Sequence, residues 1–391
     1  MRVTHVITRL IIGGAQENTI SSVLGLRSKP GLDVNLVSGP TTGPEGSLEH
    51  LLAEHPGALR LLPNLVRPVH PIRDWLAYRQ LRSFFLSERP DVVHTHSGKA
   101  GVLGRLAAAS AGVPIIIHTI HGPSFGTFQS PLANLIFLTA ERRASRVTTH
   151  FVSVADAMTR QYLAAGIGKP EQYTRILSGF DLGPFLSARN CPELRKRYGI
   201  EPDDVVIGKV ARMFKLKGHD DLFSIAPDLI RACPKVKFLL VGSGPWETRF
   251  RQLARDMGIA GRFVFTGLIP PEQVAEWVGI MDILVHTSRR EGLARVLPQA
   301  LAAGKPVVAF DCDGASEICI HHKTGFLVPP GDSSQLLRGL RDLAESAELR
   351  SQFGETGRDF VRDRFSVARM VDELHALYLR LDRQLISPTR V

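Results

Sequence analysis

Arg212 and Lys217 stand five positions apart in VARMFKLKG, and Glu291 sits near the start of SRREGLARVLPQALAAG, which spans residues 288–304. Arginine grips phosphate as a fork, and lysine meets it as a point charge. A carboxylate beside them can accept hydrogen bonds from sugar hydroxyls. The second segment reads as a short loop and then a helix whose first turn carries Glu291, Gly292, Leu293 and Ala294. Gly304-Lys305-Pro306 closes it, and a buried strand follows. A helix N-terminus gathers unpaired N–H groups and partial positive charge, which suits a diphosphate. Cations, helix-end amides and a carboxylate together point to a nucleotide-activated sugar.

Other polar positions could serve the same ligand. Gly13-Gly14 follows the first apolar run and opens a helix, and paired glycines let backbone approach a phosphate or sugar closely. His121 precedes Gly122 at the end of a run of isoleucines. It is placed to touch a sugar hydroxyl or relay a proton. By strand alternation His118 and Ile120 share one sheet face, and Thr119 and His121 the other. His94 and His96 also share a face, but zinc needs at least one more ligand and H-E-x-x-H does not occur, so no metal site is expected. Lys99, in HTHSGKAG, leads into a helix and could meet an anionic substrate group; it and His96 are expected on the acceptor side. Asp311-Cys312-Asp313 imitates a D-x-D metal motif but reads as loop chemistry. Neither G-x-G-x-x-G nor a Walker motif is present, which argues against dinucleotide and ATP chemistry of those types.

The elements that must position these residues are legible as β-branched runs alternating with helical periods. Val3–Ile7, Val34–Val37, Asp91–His94, Ile115–His118, Phe151–Val154 and Arg175–Leu177 read as strands of a first set. Val205–Val210, Phe238–Val241, Phe263–Thr266, Ile283–His286, Val307–Phe310 and Phe326–Val328 read as a second. Such alternation predicts an α/β protein of two doubly wound, Rossmann-like parallel-sheet domains facing across a cleft. The expected division is residues 1–185 and 186–365, with a terminal helix in 366–391 packing back on the first domain. In open α/β sheets ligands lie beyond the carboxyl ends of the strands, and the glycine-rich and polar positions cluster there.

The bulk composition narrows the class. At 391 residues the chain exceeds one ordinary core, so two domains are natural. Four scattered cysteines without C-x-x-C suggest neither a zinc ribbon nor a disulfide framework, and a reducing cytoplasm fits them. The N-terminus reads as a strand rather than a signal peptide, and no apolar run approaches the roughly 20 residues of a membrane helix. A net charge of +10 without a recognisable nucleic-acid module leaves an anionic membrane surface as a partner to consider, with peripheral attachment to its inner face. RPVHPIRDWLAYRQLR, residues 67–82, mixes arginines with Trp75 in an amphipathic pattern; an ordinary surface helix with its apolar side inward is the simpler expectation.

Taken in order and spacing, these motifs resemble family-4 glycosyltransferases of the GT-B fold, over essentially the whole chain and most weakly over residues 40–90. GGAQENT looks like that family's first glycine-rich loop, and HTHSGKAGVLGRLAA and TIHG like its acceptor-side segments. LSGFDLGPF resembles the stretch leading into the domain linker. VGSGP and FTGLIP, with Gly242, Gly267 and Leu268, look like nucleotide-cradling loops, the base near Gly267-Leu268. The resemblance implies sugar transfer from a nucleotide-diphosphate sugar, commonly a UDP-sugar, to a glycan or lipid-linked hydroxyl in a bacterial polysaccharide pathway. It further implies retention of configuration and no metal or cofactor. Arg212 and Lys217 would hold the diphosphate, Glu291 the donor sugar, and His121 the donor sugar or the incoming hydroxyl, with Gly14 on the donor side. One departure stands out: the family's second glutamate is Gln299 here. A glutamine keeps a carbonyl acceptor for ribose but loses charge assistance, a change of roughly 1 kcal/mol. The rival readings are a nucleotide-sugar 2-epimerase of similar architecture and an inactive nucleotide-sugar-binding subunit.

Overall fold

A computed structural model describes residues 1–42 and 46–386. The chain forms two compact units, Met1–Phe180 with Ser366–Val391, and Asp181–Phe365.

The first unit carries seven strands: β1 (Arg2–Ile7), β2 (Asp33–Ser38), β3 (Leu59–Leu61), β4 (Val92–His96), β5 (Ile115–Ile120), β6 (His150–Ser153) and β7 (Tyr173–Arg175). They lie in the order β3-β2-β1-β4-β5-β6-β7, and every pairing is parallel. All six residues of β5 are buried, as expected of a strand covered on both faces. One face of the sheet meets a core containing Ile7, Leu26, Ile117 and Tyr378, and a second core contains Val6, Leu81, Phe85 and Val93. The first of these is completed from the far end of the chain. The helix Val367–Ile386 inserts Met370, Val371, Leu374, Leu377 and Leu381, and a Val371 methyl rests where a side chain on Gly25 would otherwise stand.

The second unit carries β8 (Val205–Val210), β9 (Val236–Val241), β10 (Phe263–Gly267), β11 (Ile283–His286), β12 (Val307–Phe310) and β13 (Gly325–Val328), in the order β10-β9-β8-β11-β12-β13. All pairings are again parallel. Both sheets therefore reverse their strand order beside the first strand, between β1 and β4 and between β8 and β11. A doubly wound sheet opens a crevice at such a reversal.

Differences from the sequence reading are local. β3 is a three-residue edge strand too short to signal itself in periodicity. β7 ends at Arg175 rather than beginning there. The helix expected from Glu291 starts only at Val296 and ends at Ala302, leaving residues 288–295 as loop. Pro298 explains this: lacking an N–H, it is tolerated in a first turn but not a helix interior, so the helix begins just before it.

Candidate functional site

In the second unit the polar residues gather where β8 and β11 end. Beyond β8, the Ala211 amide bonds the Val241 carbonyl and the Met213 amide the Ser243 carbonyl, each at 3.0 Å. The loop bearing Arg212 is thus laid against the exit of β9. Gly242 makes that contact feasible, since a Cβ there would stand 2.5 Å from the Ala211 carbonyl oxygen and its φ is +125°. Gly242 in turn donates its amide to Gly267 at 3.1 Å, and Leu268 beyond it is exposed.

Residues 215–217 then form one tight turn, and Gly218 adopts a left-handed conformation (φ 63°, ψ 35°) to start the helix His219–Ala232. The Thr287 carbonyl at the end of β11 occupies the place a Gly218 side chain would need, and the Thr287 hydroxyl donates to the Gly218 carbonyl at 2.5 Å. The Arg289 amide bonds the Leu216 carbonyl at 2.9 Å, and the Arg289 guanidinium pairs with Asp221 at 2.5 Å. These links fasten the lysine turn to the loop after β11. They bring Lys217 and Glu291, 74 residues apart, into an ion pair. Arg212 and Lys217 flank Phe214, the guanidinium 5.1 Å from the ring centre and the ammonium 6.0 Å.

The Glu291 carboxyl is partly buried. Burial alone would push it up, but the Lys217 charge prevails and holds it near 2. The Glu291 amide donates to the Asp313 carboxylate at 2.7 Å, and Gly314 reaches back to the Gly292 carbonyl at 3.0 Å. Asp313 thereby braces the loop that presents Glu291, a loop role for the D-x-D sequence. Gly292, Leu293 and Ala294 are buried in that loop, ahead of the helix rather than in its first turn, and Gln299 is half-buried on the helix itself.

Sequence reasoning missed Lys209. It lies fully buried within β8 and donates to the Thr287 hydroxyl at 2.8 Å. Burial, then the nearby Lys217 charge, lower its pKa to about 7. A lysine inside VVIGKV was the only available signal. His286, buried at the end of β11, places Nε2 3.8 Å from Glu291, and burial drives its pKa down to about 3.

In the first unit the sequence-selected residues lie at or just after the ends of β1, β4 and β5, and of them His96 and His121 touch. Gly14 is the first residue of the helix that follows β1. His96 is buried and hydrogen-bonded through Nδ1 to His121 Nε2 at 3.0 Å; His121 is half-buried. The other nitrogen of His96 meets His5 Nδ1 at 2.9 Å. His94 bonds the Tyr378 hydroxyl and the Thr119 hydroxyl, both at 2.6 Å. Burial holds His5, His94 and His96 neutral, with His5 near 3. The third histidine that spacing could not supply is His5, and ligand-capable atoms of His5, His94 and His96 lie within 4.8 Å of one another. Their nitrogens are engaged with each other, Tyr378, Thr119 and His121. The Lys99 ammonium binds Asp74 at 2.5 Å and the Pro68 carbonyl, so its charge is paired within the unit.

Comparison with known proteins bears on both units. Residues 190–360 match the family described as glycosyl transferases group 1, and residues 13–179 match a glycosyl transferase 4-like domain. A UDP-Gal:alpha-D-GlcNAc-diphosphoundecaprenol alpha-1,3-galactosyltransferase of Escherichia coli is 24% identical over 97% of each chain. A GDP-mannose-dependent alpha-(1-6)-phosphatidylinositol monomannoside mannosyltransferase of Mycolicibacterium smegmatis is 30% identical over 67% of this chain and 69% of its own. The crystal structure of Anabaena HepE with UDP and glucose superposes with a TM-score of 0.81 over 97% of this chain and 100% of that one, at 21% identity.

The charge balance around Glu291 is measurable. In wild type its depressed pKa contributes stability above the unfolded carboxyl value of about 4.3, lost as pH falls toward 2. In Lys217→Ala the largest opposing influence is gone and only His286 and the Ser288 hydroxyl still favour the carboxylate. Carbon-13 NMR should then find Glu291 titrating well above 2, with the acid-side loss of stability moved to higher pH. A Glu291 that still titrates near 2 in the variant would remove Lys217 as the cause.

Proposed function

The chain belongs to the glycosyl transferases group 1 family, and on that premise we propose that it moves a hexosyl group from a UDP-sugar to a hydroxyl of a glycan or lipid-linked acceptor, with retention and without a metal ion. That it is a glycosyltransferase of GT-B architecture follows from the two family matches, the named relatives and the two parallel sheets. The observation that carries the finer reading is the Lys217–Glu291 pair at the exits of β8 and β11, with Arg212 on the same turn.

As the bond from the sugar's anomeric carbon to the phosphate oxygen breaks, negative charge grows on the diphosphate. Fixed cations that meet that charge lower the barrier without reorganising. We assign this task to Lys217 and Arg212. Glu291 then accepts hydrogen bonds from the donor sugar's hydroxyls, and Gln299 contacts the ribose through its amide. The base belongs beside Gly267 and Leu268, and Gly242 and residues 292–294 line the donor. His121 contacts the donor sugar or the incoming hydroxyl. UDP as carrier is supported by the UDP-Gal donor of the Escherichia coli relative and by the UDP in the HepE complexes; the mycobacterial relative uses GDP-mannose. The α linkages in both relatives' names favour retention, and the diphosphoundecaprenol of the first favours a lipid-linked acceptor.

A membrane-borne acceptor also suits the surface of the first unit. The helix Pro71–Glu88 buries Ala77, Leu81 and Phe85 but leaves Val69 before it, Ile72 and Trp75 more than half exposed among Arg67, Arg73, Arg79 and Arg82. Leu132, Leu135 and Ile136 are similarly exposed on the helix Pro131–Ser145. Apolar side chains ringed by arginine bind anionic bilayer surfaces. No described helix is long and apolar enough to cross a membrane. We therefore propose peripheral attachment on the cytoplasmic side.

Three measurements follow. Lys217→Ala should lower kcat by about 10²- to 10³-fold with little change in acceptor KM, by analogy with a lost oxyanion donor; near-wild-type turnover would take Lys217 out of the mechanism. In a thermal-shift series, UDP-sugars should stabilise more than GDP- or ADP-sugars, and Gln299→Ala should weaken UDP binding by roughly fivefold. Equal UDP affinity in the variant means that Gln299 does not touch the ribose. Trp75→Ala should reduce co-sedimentation with vesicles rich in anionic lipid, whereas undiminished binding argues against this face.

A further inference from the structure

Six side chains of the first unit form one unbroken hydrogen-bonded chain: Thr119, His94, Tyr378, His5, His96 and His121. Its links are Thr119 Oγ1 to His94 Nε2 (2.6 Å), His94 Nδ1 to Tyr378 Oη (2.6 Å), Tyr378 Oη to His5 Nε2 (3.2 Å), His5 Nδ1 to His96 Nε2 (2.9 Å) and His96 Nδ1 to His121 Nε2 (3.0 Å). His96 stacks on both His5 and His94 with centroids 5.1 and 4.6 Å apart, His5 and His94 are tilted at 4.9 Å, and His96 stacks on His121 at 5.3 Å. Every member except His121 is buried.

Proton bookkeeping makes this a two-state device. Each link needs one proton, and a neutral imidazole supplies one donor and one acceptor. With all four histidines neutral and the Tyr378 hydroxyl donating one link and accepting the other, only two assignments satisfy every link. In one, His121 Nε2 donates to His96 and the donation runs on through His5, Tyr378 and His94 to Thr119, which leaves His121 Nδ1 a lone-pair acceptor. In the other every donation reverses, and His121 Nδ1 carries the proton. A mixed order sets a buried donor against a donor or an acceptor against an acceptor, or makes Tyr378 accept from both His94 and His5 and leaves its buried O–H without an acceptor in the chain. A partly satisfied buried network is costly.

We propose that His96, His5 and Tyr378 are positioning residues for His121, fixing its ring and its tautomer from the interior of the first unit, so that the C-terminal helix reaches the transfer chemistry through the Tyr378 hydroxyl. This rests on the role given to His121 above. Depressed pKa values at His5, His94 and His96 agree with it, because a charged imidazole would break the proton order.

The test is long-range proton–nitrogen NMR on the full chain with ¹⁵N-labelled histidine at neutral pH. His5, His94, His96 and His121 should each be neutral and in a single tautomer. Tyr378→Phe, which deletes only the middle hydroxyl, should shift the His121 tautomer ratio by roughly fivefold or more, the equivalent of one net hydrogen bond. Tyr162→Phe, which removes a buried hydroxyl outside the chain, should leave the ratio alone. Should Tyr378→Phe fail to fold, His5→Gln interrupts the same path. An unchanged His121 ratio in the chain variants, or an equal change in Tyr162→Phe, overturns the proposal. So does tight binding of added zinc with metal-shifted nitrogens on His5, His94 and His96. Turnover separates the two readings: a shifted tautomer with undiminished kcat upholds the coupling but overturns the role given to His121.

Discussion

The contact between the Thr287 carbonyl and the bare α-carbon of Gly218 sets the geometry of the second unit's site. A parallel sheet delivers its strand ends to one edge but does not fix where the following loops turn. Here the loop after β8 turns through a left-handed glycine, and the strand that neighbours β8 after the order reversal closes over it. A side chain at 218 would be strained by its φ and blocked by that carbonyl at once. Because the clamp holds, Lys217 meets Glu291, Arg289 meets Asp221, and Lys209 reaches Thr287 from beneath.

Charge is then handled differently in the first unit's histidine cluster and in the second unit's site. The second concentrates charged groups where water is scarce and relies on pairing: Glu291 stays ionised because Lys217 outweighs its desolvation, and Lys209 has its basicity reduced because no carboxylate offsets its burial so directly. The first unit buries histidines without a counter-ion and keeps them neutral, so directional hydrogen bonds replace Coulomb attraction. A site built on paired charge can meet a ligand whose charge grows during reaction. A site built on neutral imidazoles is suited to deciding where a proton resides.

Much of this was legible in the chain. Buried parallel strands are rich in valine, isoleucine and leucine, so eleven of the thirteen strands among the described residues announced themselves; β3 and the Tyr-Thr-Arg of β7, both short and outside the core, did not. Arg212, Lys217 and Glu291 could be singled out because two cations and a carboxylate recur after strands, where parallel sheets hold ligands, in the order and spacing of a known family; any one of them alone would read as a solvated charge. The helix start was misplaced because Glu291-Gly292 looked like a first turn, whereas Pro298 carried the stronger constraint. Lys99 was legible as a charge but not as a paired one, since Asp74 lies on another helix. His5 and Tyr378 carry no local signal: they meet across 373 positions, where the registration of β1 on β4 sets His5 opposite His94 and the docking of the C-terminal helix brings Tyr378 to both.

That juxtaposition changes what the C-terminal helix is for. Its apolar face would dock on the first unit through Val371, Leu374 and Leu377 whatever stood at position 378. A phenylalanine there would pack as well, yet it would leave nitrogens of both His5 and His94 facing hydrocarbon. An unsatisfied buried polar group costs about 1–3 kcal/mol, comparable to the gain from burying a large apolar side chain. The hydroxyl therefore ties the return of the chain to the first unit to the polar interior of that unit, and the helix is held there by proton order as well as by packing.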